Sequence, residues 1–227
     1  MNTFVIDAAV IHVPDGVDDL ASFRQWVHSD EFPEHGRICY FNGEVWVDLT
    51  KEQFFTHNQV KSEFNTVIGG FVKTEKLGRY IPDGMLLTNV SAELSSQPDG
   101  AFVSRETLQS GRVRLVEGAE EGYVELEGSP DMVLEPDMVL EVVSQSSVHK
   151  DQVTLRELYW KAGIAEYWLL DARGDDPRLD ILKLSARGYV ATRPQAGWLK
   201  SDVFGRAFRL TRDSDDLGHP EFVLSVR

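Results

Sequence analysis

The amino-acid sequence predicts an α/β protein with a mixed central β-sheet flanked by helices. Segments with helical spacing of apolar residues and segments with strand-like patterning are mixed along the chain. A helix predicted from Asp151 to Gly163 also joins two apolar strands, the run that ends at Val143 and the strand Glu166 to Leu170. Such a crossover helix is typical of an α/β sheet. No stretch rich in Pro, Gly or Ser divides residues 1–227, so we predict a single domain.

The first fifty residues predict a helix followed by a hairpin. Asp18 and Asp19 are good N-cap residues for a helix that runs to Val27. Asn42-Gly43 then lies between the runs Ile38 to Phe41 and Glu44 to Leu49, and this dipeptide is the strongest short-range hairpin signal. We therefore expect an N-terminal helix-hairpin unit.

A long amphipathic helix ending near Lys76 is predicted next, because apolar residues recur at helical spacing. They are Val60, Phe64, Val67, Ile68 and Phe71. Gly69 and Gly70 lie inside this helix, where each glycine costs roughly 1 kcal/mol relative to Ala. We therefore expect another part of the backbone to pack closely against them.

Beyond Gly78 the pattern changes to short strands separated by turn residues. The predicted strands are Arg79 to Leu87, Gly100 to Ser104, Arg112 to Val116, Tyr123 to Leu126, the run ending at Val143, Glu166 to Leu170, Leu179 to Leu184 and Tyr189 to Thr192. Asp151 can cap the helix between them, and Gly163 lies where a C-terminal glycine belongs. The tail, Trp198 to Arg227, predicts a β-rich extension of short strands.

The charge balance limits the classes of partner. Of 227 residues, 23 are Lys or Arg and 37 are Asp or Glu, for a net charge of −14. This balance argues against histone-like wrapping of nucleic acid and against a polybasic membrane patch, since both need a positive field. It still allows a local basic groove. The candidate basic residues are scattered among acids in the sequence: Lys51, Lys61, Lys73, Lys76, Arg79, Arg105, Arg112 and Arg114.

Several site types are excluded by the residues present. A single cysteine, Cys39, excludes an internal disulfide and a Cys-rich zinc site. The sequence has no phosphate-binding loop, no Gly-rich dinucleotide turn and no nucleophile elbow. The segment Met1 to Val13 lacks the basic start of a signal peptide, and no apolar run approaches the ~20 residues of a membrane span. We expect a cytoplasmic protein.

A tandem repeat marks the region of greatest interest. Residues 130–135 and 136–141 both read PDMVLE. Because six is even, a strand shifted by one copy keeps the same side chains on the same face. Either Asp131 with Glu135 or Asp137 with Glu141 could therefore occupy the same structural position. The second copy continues directly into further apolar strand residues, so we favour Asp137 with Glu141.

Acidic residues on an apolar strand are the first candidates for chemistry. Asp137 and Glu141 would share one face of the strand. Buried carboxylates are costly unless they are paired, hydrogen-bonded or bound to a metal. The pattern thus indicates either a site for a hard cation such as magnesium or an edge strand whose acids face water.

Two further residues could join such a site. Asp99 precedes another apolar strand, although Pro98-Asp99-Gly100 is also a typical turn sequence. Lys150, at the entrance of the predicted helix, could reach back to orient a water or stabilise negative charge. Alternatively it is an ordinary solvated lysine.

Three segments together resemble the Uma-two family of restriction-endonuclease-like proteins. They are Pro136 to Ser144, Tyr159 with Ala162 to Ile164, and Glu166 to Asp171, with weaker support from Phe41 to Glu44, His57 and Pro98-Asp99. The resemblance covers roughly residues 38–185. It implies a restriction-endonuclease-like fold with a PD-(D/E)XK site, which hydrolyses phosphodiesters with a divalent metal.

The resemblance also implies roles for individual residues. Asp99 and Glu141 would be the two metal-binding acids, holding magnesium or manganese. Lys150 would orient the attacking water or stabilise charge on the phosphate, and Asp137 would support the metal or be a third ligand. Val143 occupies the usual position of the motif lysine, and Leu155 the position to which family members often move it.

The missing lysine leaves two predicted functions. The first is a metal-dependent endonuclease acting on DNA. Nucleases of this fold that cut both strands often pair up, so this function also allows a homodimer. The second is a catalytically degenerate module that keeps the fold for binding or interaction.

Overall fold

The computed structural model describes residues 2–6, 9–33, 36–48, 52–117, 124–128 and 136–227. Its strands are β1 (Asn2–Ile6), β2 (Ala9–Val13), β3 (Arg37–Phe41), β4 (Glu44–Asp48), β5 (Gly78–Pro82), β6 (Leu86–Asn89), β7 (Leu94–Ser96), β8 (Gly100–Ser104), β9 (Val113–Glu117), β10 (Val124–Gly128), β11 (Met138–Val142), β12 (Glu166–Asp171), β13 (Arg178–Lys183), β14 (Val190–Ala191), β15 (Leu199–Lys200), β16 (Ala207–Ser214) and β17 (Pro220–Val226).

In the described ranges, four α-helices accompany these strands. They are α1 (Leu20–Val27), α2 (Val60–Glu75), α3 (Arg105–Ser110) and α4 (Leu155–Lys161). A first π-helical turn (Phe54–Gln59) leads into α2, and a second (Lys150–Thr154) leads into α4. In the described part of the chain, no helix is long and apolar enough to cross a membrane.

The central sheet contains six strands in the order β14-β13-β12-β11-β8-β5. β11 and β12 are parallel, and α4 lies in the connection between them. The remaining neighbours in this sheet are antiparallel. The sheet is therefore mixed, and the predicted crossover helix is confirmed.

Helices pack on both faces of the central sheet. Alternate residues of a strand point to opposite faces. On one face, Tyr167 and Leu169 of β12 belong to a core that includes α4. On the other, Trp168 and Leu170 belong to a core that includes α2 and the C-terminal sheet β15-β16-β17. The strand β12 is buried on both faces, which explains its nearly continuous apolar sequence.

A second six-stranded sheet, in the order β4-β3-β7-β6-β10-β9, was not expected from the sequence. The predicted single strand Arg79 to Leu87 is wrong, because it divides at Asp83-Gly84 into β5 and β6. Gly84 has a φ of 90°, a conformation that favours glycine. β5 pairs in the central sheet and β6 in the second sheet. Pro82-Asp83-Gly84 interrupts the apolar run with a turn sequence, but no periodicity indicates that the chain changes sheets there.

The N-terminal predictions agree with the structure. Asp19 caps α1, because its side chain accepts a hydrogen bond from the Ser22 backbone N–H. The β3–β4 hairpin turns at Asn42-Gly43, where φ is 56° and 78°. Two successive positive φ values are characteristic of the type I′ turn that joins twisted strands.

The expected close backbone approach at the glycines of α2 is wrong. A Cβ at Gly69 would lie 3.6 Å from Cδ1 of Tyr80, and a Cβ at Gly70 would contact nothing within 4 Å. The tight position is Gly78, where a Cβ would lie 2.1 Å from the carbonyl oxygen of Val103. Gly78 thus allows β5 to start against β8.

Only part of the tandem repeat lies within the described residues. The second copy supplies β11, as favoured from the sequence. The first copy, with Asp131 and Glu135, lies outside the described residues, and so does Tyr123.

Candidate functional site

Asp99 and Glu141 lie close together in the central sheet, Glu141 within β11 and Asp99 immediately before the neighbouring strand β8. Asp99 directly precedes β8, and β8 pairs with β11 so that Gly100 is opposite Leu140. The backbone N–H of Val142 donates to Oδ2 of Asp99 at 2.7 Å. Both acids are only 1% exposed. The two residues predicted to hold a metal are therefore adjacent in the sheet and buried.

Glu141 is held by one oxygen only. Its Oε1 accepts a hydrogen bond of 2.7 Å from the Tyr159 hydroxyl, which is itself 3.0 Å from Oγ of Ser96. Its Oε2 is buried and has no hydrogen-bond partner among the described residues. Burial raises the pKa of Glu141 to about 8, although the positive charge of Lys150 opposes the rise. Without a bound cation, this carboxyl group therefore tends to keep its proton near neutral pH.

Lys150 faces the same acids from the second π-helical turn. Its Nζ lies 3.2 Å from Oδ1 of Asp151, a residue that is 1% exposed. Burial alone would lower the pKa of Lys150, but the charges of Glu141 and Asp151 raise it above its ordinary value. The ammonium group therefore stays protonated inside the site. π-Helical turns are rare and often occur at functional sites.

Asp151 does not cap a helix, so this expectation from the sequence is wrong. It lies inside the π-helical turn, and neither that turn nor α4 has a side-chain cap. Its Oδ2 accepts a hydrogen bond from the Ser147 hydroxyl. Burial raises the pKa of Asp151, with Lys150 opposing the shift. Asp151 is thus a third buried acid near Glu141 and Asp99.

The structure does not bring Asp137 to the other predicted residues. Its carboxylate accepts hydrogen bonds from the Ser104 backbone N–H at 2.7 Å and from the Thr107 hydroxyl at 3.0 Å. These contacts connect the start of β11 to the N-terminus of α3. Asp137 precedes Glu141 by four residues, which corresponds to about 13 Å along a strand.

Two further cations, Arg37 and Lys61, lie near Asp99. Nη2 of Arg37 lies 3.0 Å from Oδ1 of Asp99, and Nζ of Lys61 lies 3.6 Å from the same oxygen. Each cation also pairs with Glu52 and Asp83; Lys61 does so at 2.7 Å in both cases. Burial alone would raise the pKa of Asp99. The charge of Arg37 is the largest opposing influence, and the pKa lies below its ordinary value, so Asp99 is ionised.

His57 completes a second possible ligand set around Asp99. It is buried in the first π-helical turn, with Nε2 3.7 Å from Oδ2 of Asp99 and Nδ1 3.4 Å from Oε2 of Glu52. The ligand atoms of these three residues lie within 4.8 Å of one another. In the described ranges, this is the one such group of three His, Cys, Asp or Glu residues.

Sequence reasoning missed most of this network. Arg37 and Glu52 were not selected, and Lys61 was named only among the scattered basic residues. Their proximity to Asp99 arises only in the folded chain. Asp83 did carry a signal, since Pro82-Asp83-Gly84 repeats the tripeptide Pro98-Asp99-Gly100. Pro82 and Gly100 are paired between β5 and β8, which brings the two tripeptides together.

A cleft of about 340 Å³ lies beside Lys150 and Arg37. The β3–β4 hairpin forms one wall, and the segment from Ser146 to Lys150 forms the other. Trp46 on the hairpin is 42% exposed and stacks on Phe41 with a ring-centroid distance of 4.9 Å. The described lining thus includes both cations together with one acid, Asp48.

Comparison with known proteins supports the resemblance seen in the sequence. The model of a family named Uma2, described as "Putative restriction endonuclease", matches residues 20–212. The chain belongs to the Uma2 family. None of the curated proteins matches this Uma2 chain.

A solved structure shows the fold shared by this Uma2 protein. It is the crystal structure of "a putative nuclease belonging to DUF820" from Anabaena variabilis ATCC 29413, with a TM-score of 0.57 and 17% sequence identity. The match covers 82% of this chain and 90% of that chain. At this identity the likeness concerns the fold, and the predicted restriction-endonuclease-like architecture is confirmed.

The acids of this Uma2 protein fit a divalent metal, which proteins of the restriction-endonuclease-like family generally use. Magnesium and manganese prefer carboxylate oxygens. Glu141 offers a buried oxygen without a hydrogen-bond partner. Asp99 accepts hydrogen bonds from Arg37 and from the backbone of Val142, whereas a carboxylate has about four lone-pair positions. Both residues therefore have room for a cation.

We predict that Glu141→Gln changes the pH dependence of stability. The pKa of about 8 in the folded protein exceeds the ordinary value of 4.5. The folded state therefore keeps a proton that the unfolded chain loses, and stability falls as pH rises from about 5 through 8. The glutamine side chain of the variant has no carboxyl group, so it does not titrate in this pH range. The fall in unfolding free energy between about pH 5 and 9 should be smaller in the variant by about 2–4 kcal/mol.

Urea unfolding over this pH range, with a metal chelator present, measures the effect. Glu157→Gln, at an exposed carboxyl on α4, is the matched control and should reproduce the wild-type profile. Identical profiles for wild type and Glu141→Gln would show that Glu141 is not protonated in the folded protein.

Proposed function

We propose that this Uma2 protein is an endonuclease that hydrolyses DNA phosphodiesters with magnesium or manganese held by Asp99 and Glu141. One observation carries the proposal. Glu141 is buried with an unpartnered oxygen beside the ionised Asp99, and a protonated Lys150 faces it. Two carboxylates can hold a divalent cation, and a lysine can stabilise developing negative charge, so this set of side chains suits metal-assisted phosphodiester hydrolysis. The match to a family described as a restriction endonuclease and the cleft beside Lys150 also support it.

The residues around the reacting phosphate would have different roles. A divalent cation held by Asp99 and Glu141 would supply Lewis-acid stabilisation of the phosphate charge and would make water a better nucleophile at neutral pH. The backbone N–H of Val142 fixes Asp99, and the Tyr159 hydroxyl fixes Glu141, so both carboxylates are oriented before substrate arrives. Lys150 donates to a phosphate oxygen or to the attacking water. It would replace the motif lysine that is absent at Val143 and Leu155.

The catalytically degenerate module is a second candidate function, and one observation favours it. Arg37 pairs with Asp99, and Lys61 lies 3.6 Å from the same oxygen. Their charges already neutralise the acid that a metal would otherwise neutralise. A protein with this arrangement could keep the fold for binding alone.

Three expectations from the sequence remain predictions beside this proposal. They are a single domain over residues 1–227, a cytoplasmic location and a homodimer that cuts both strands. Asp137 is not part of the proposed catalytic group, because its carboxylate is engaged at the start of α3.

We predict that Asp99→Asn and Glu141→Gln each lower manganese-dependent cleavage of duplex DNA by about 100-fold or more, because each removes a metal-binding charge. Cleavage is measured by electrophoresis of plasmid and labelled duplex, and folding by circular dichroism. Glu157→Gln is the control and should cut as wild type does. Folded variants that cut at the wild-type rate would contradict the site, and a wild-type protein that binds manganese without cutting would favour the degenerate module.

We predict that Lys150→Met lowers the rate constant for cleavage by about 10²–10³-fold, as loss of one charged donor to a reacting group does. Manganese affinity should change far less than the rate constant, because Lys150 supplies no metal ligand and the loss of its charge has two opposing effects. It removes a repulsion of the cation, and it makes the proton of Glu141 harder to displace. Single-turnover cleavage and calorimetric titration separate the two effects. Lys161→Met, at an exposed lysine on α4, is the control. Unchanged cleavage by Lys150→Met would assign the lysine a structural role.

A further inference from the structure

A second cleft, of about 680 Å³, lies along the edge strand β5 between α2 and α3. We call it the basic cleft, because the described residues that line it include four cations and no acid: Lys73, Lys76, Arg79 and Arg105. All four side chains are exposed. None forms an ion pair with another residue that the structure describes. The nearby Glu75 points elsewhere, since it pairs with Arg206 at 3.0 Å.

This concentration of positive charge is unusual for a chain with a net charge of −14. The cations come from three separate elements, the C-terminal end of α2, the start of β5 and the start of α3. The basic residues that are scattered in the sequence are therefore partly gathered by the fold. Unpaired cations in one concave surface repel each other and create a local positive potential, which an anionic ligand relieves.

A glycine helps to keep the basic cleft open. Gly69 lies within α2, where glycine costs roughly 1 kcal/mol relative to Ala, and it lines the cleft. A Cβ there would point toward Tyr80, another lining residue, at 3.6 Å. A larger side chain at this position would fill space between α2 and β5.

Two elements connect the basic cleft to the candidate metal site. β5 runs from Arg79 at the cleft toward Asp83 at the site, a span of four residues or about 13 Å. α2 carries Lys61 at the site and Lys73 at the cleft, twelve residues or about 18 Å apart. Duplex DNA rises 3.4 Å per base pair. The separation thus corresponds to about four or five base pairs.

We propose that the basic cleft binds phosphates of a nucleic-acid strand whose scissile phosphate lies at Asp99 and Glu141. This inference rests on the proposed function and assigns the surface that binds its substrate. The substrate is a polymer that extends at least about four nucleotides from the cleaved bond, because a small phosphodiester cannot reach both places.

The test compares Lys73→Glu/Arg105→Glu with the control Arg193→Glu/Lys200→Glu. Both pairs are exposed and both change the net charge equally, but the control pair lies outside the cleft lining. Binding of a labelled duplex of about 20 base pairs is followed by fluorescence anisotropy with metal chelated. The cleft variant should bind about tenfold more weakly or worse, and its salt slope should fall by about 2 for two lost phosphate contacts. The control should match the wild type.

A cleavage readout separates the two proposals. With manganese, the cleft variant should cut the duplex more slowly than wild type at low substrate concentration, yet hydrolyse bis(p-nitrophenyl) phosphate at the wild-type rate. If the cleft variant loses DNA binding but the wild type cleaves no DNA, the result would support binding in the basic cleft and contradict the proposed nuclease activity.

Three results would overturn the inference. The first is equal DNA affinity of cleft variant and control, even while the wild type cleaves. The second is no DNA binding by the wild type. The third is a cleft variant that keeps the wild-type DNA affinity but no longer forms a dimer that the wild type shows in sedimentation. That result would mean that a second copy of the chain occupies the basic cleft.

Discussion

The candidate site depends on one buried charge, the carboxylate of Asp99. Burying an unpaired carboxylate is prohibitively costly, so the fold must surround it with donors and cations. The backbone of β11 and the side chain of Arg37 from β3 supply hydrogen bonds, and Lys61 from α2 adds positive charge. Parts of the chain that are far apart in sequence thus meet at a single side chain. Because β3 belongs to the second sheet, this contact also joins the two sheets at the site.

The two central acids are prepared differently for a cation. Cations lower the pKa of Asp99, and burial raises that of Glu141, so one is charged and the other tends to be neutral. Carboxyl groups in unlike environments often take different roles in a site. A metal would have to displace the proton from Glu141. The positive charge of Lys150 lowers the pKa of Glu141 and so reduces the free energy that this displacement requires. The same lysine is positioned to meet a phosphate that enters through the cleft beside Trp46.

Local sequence patterns predicted the elements and the two principal acids, but not how distant segments meet. The helical spacing of apolar residues and the capping residues were enough to predict α1 and the crossover helix. The Asn42-Gly43 turn was enough to predict the hairpin. The change of sheet at Asp83-Gly84, and both π-helical turns, leave no periodic signal. Asp99 and Glu141 could be selected through a family motif that lies on single strands. Arg37, Glu52 and the basic cleft could not, because their partners are set by tertiary packing rather than by neighbours in sequence.

The central claim is that a divalent cation is held by Asp99 with Glu141, not by Asp99 with His57 and Glu52. Calorimetric titration of manganese into Glu141→Gln and Glu52→Gln, both checked for folding, tests it most directly. The account predicts that Glu141→Gln weakens manganese binding by about 10–100-fold or more, whereas Glu52→Gln stays within about threefold of wild type. Loss of binding in Glu52→Gln, with full affinity in Glu141→Gln, would place the cation beside His57 and contradict the account.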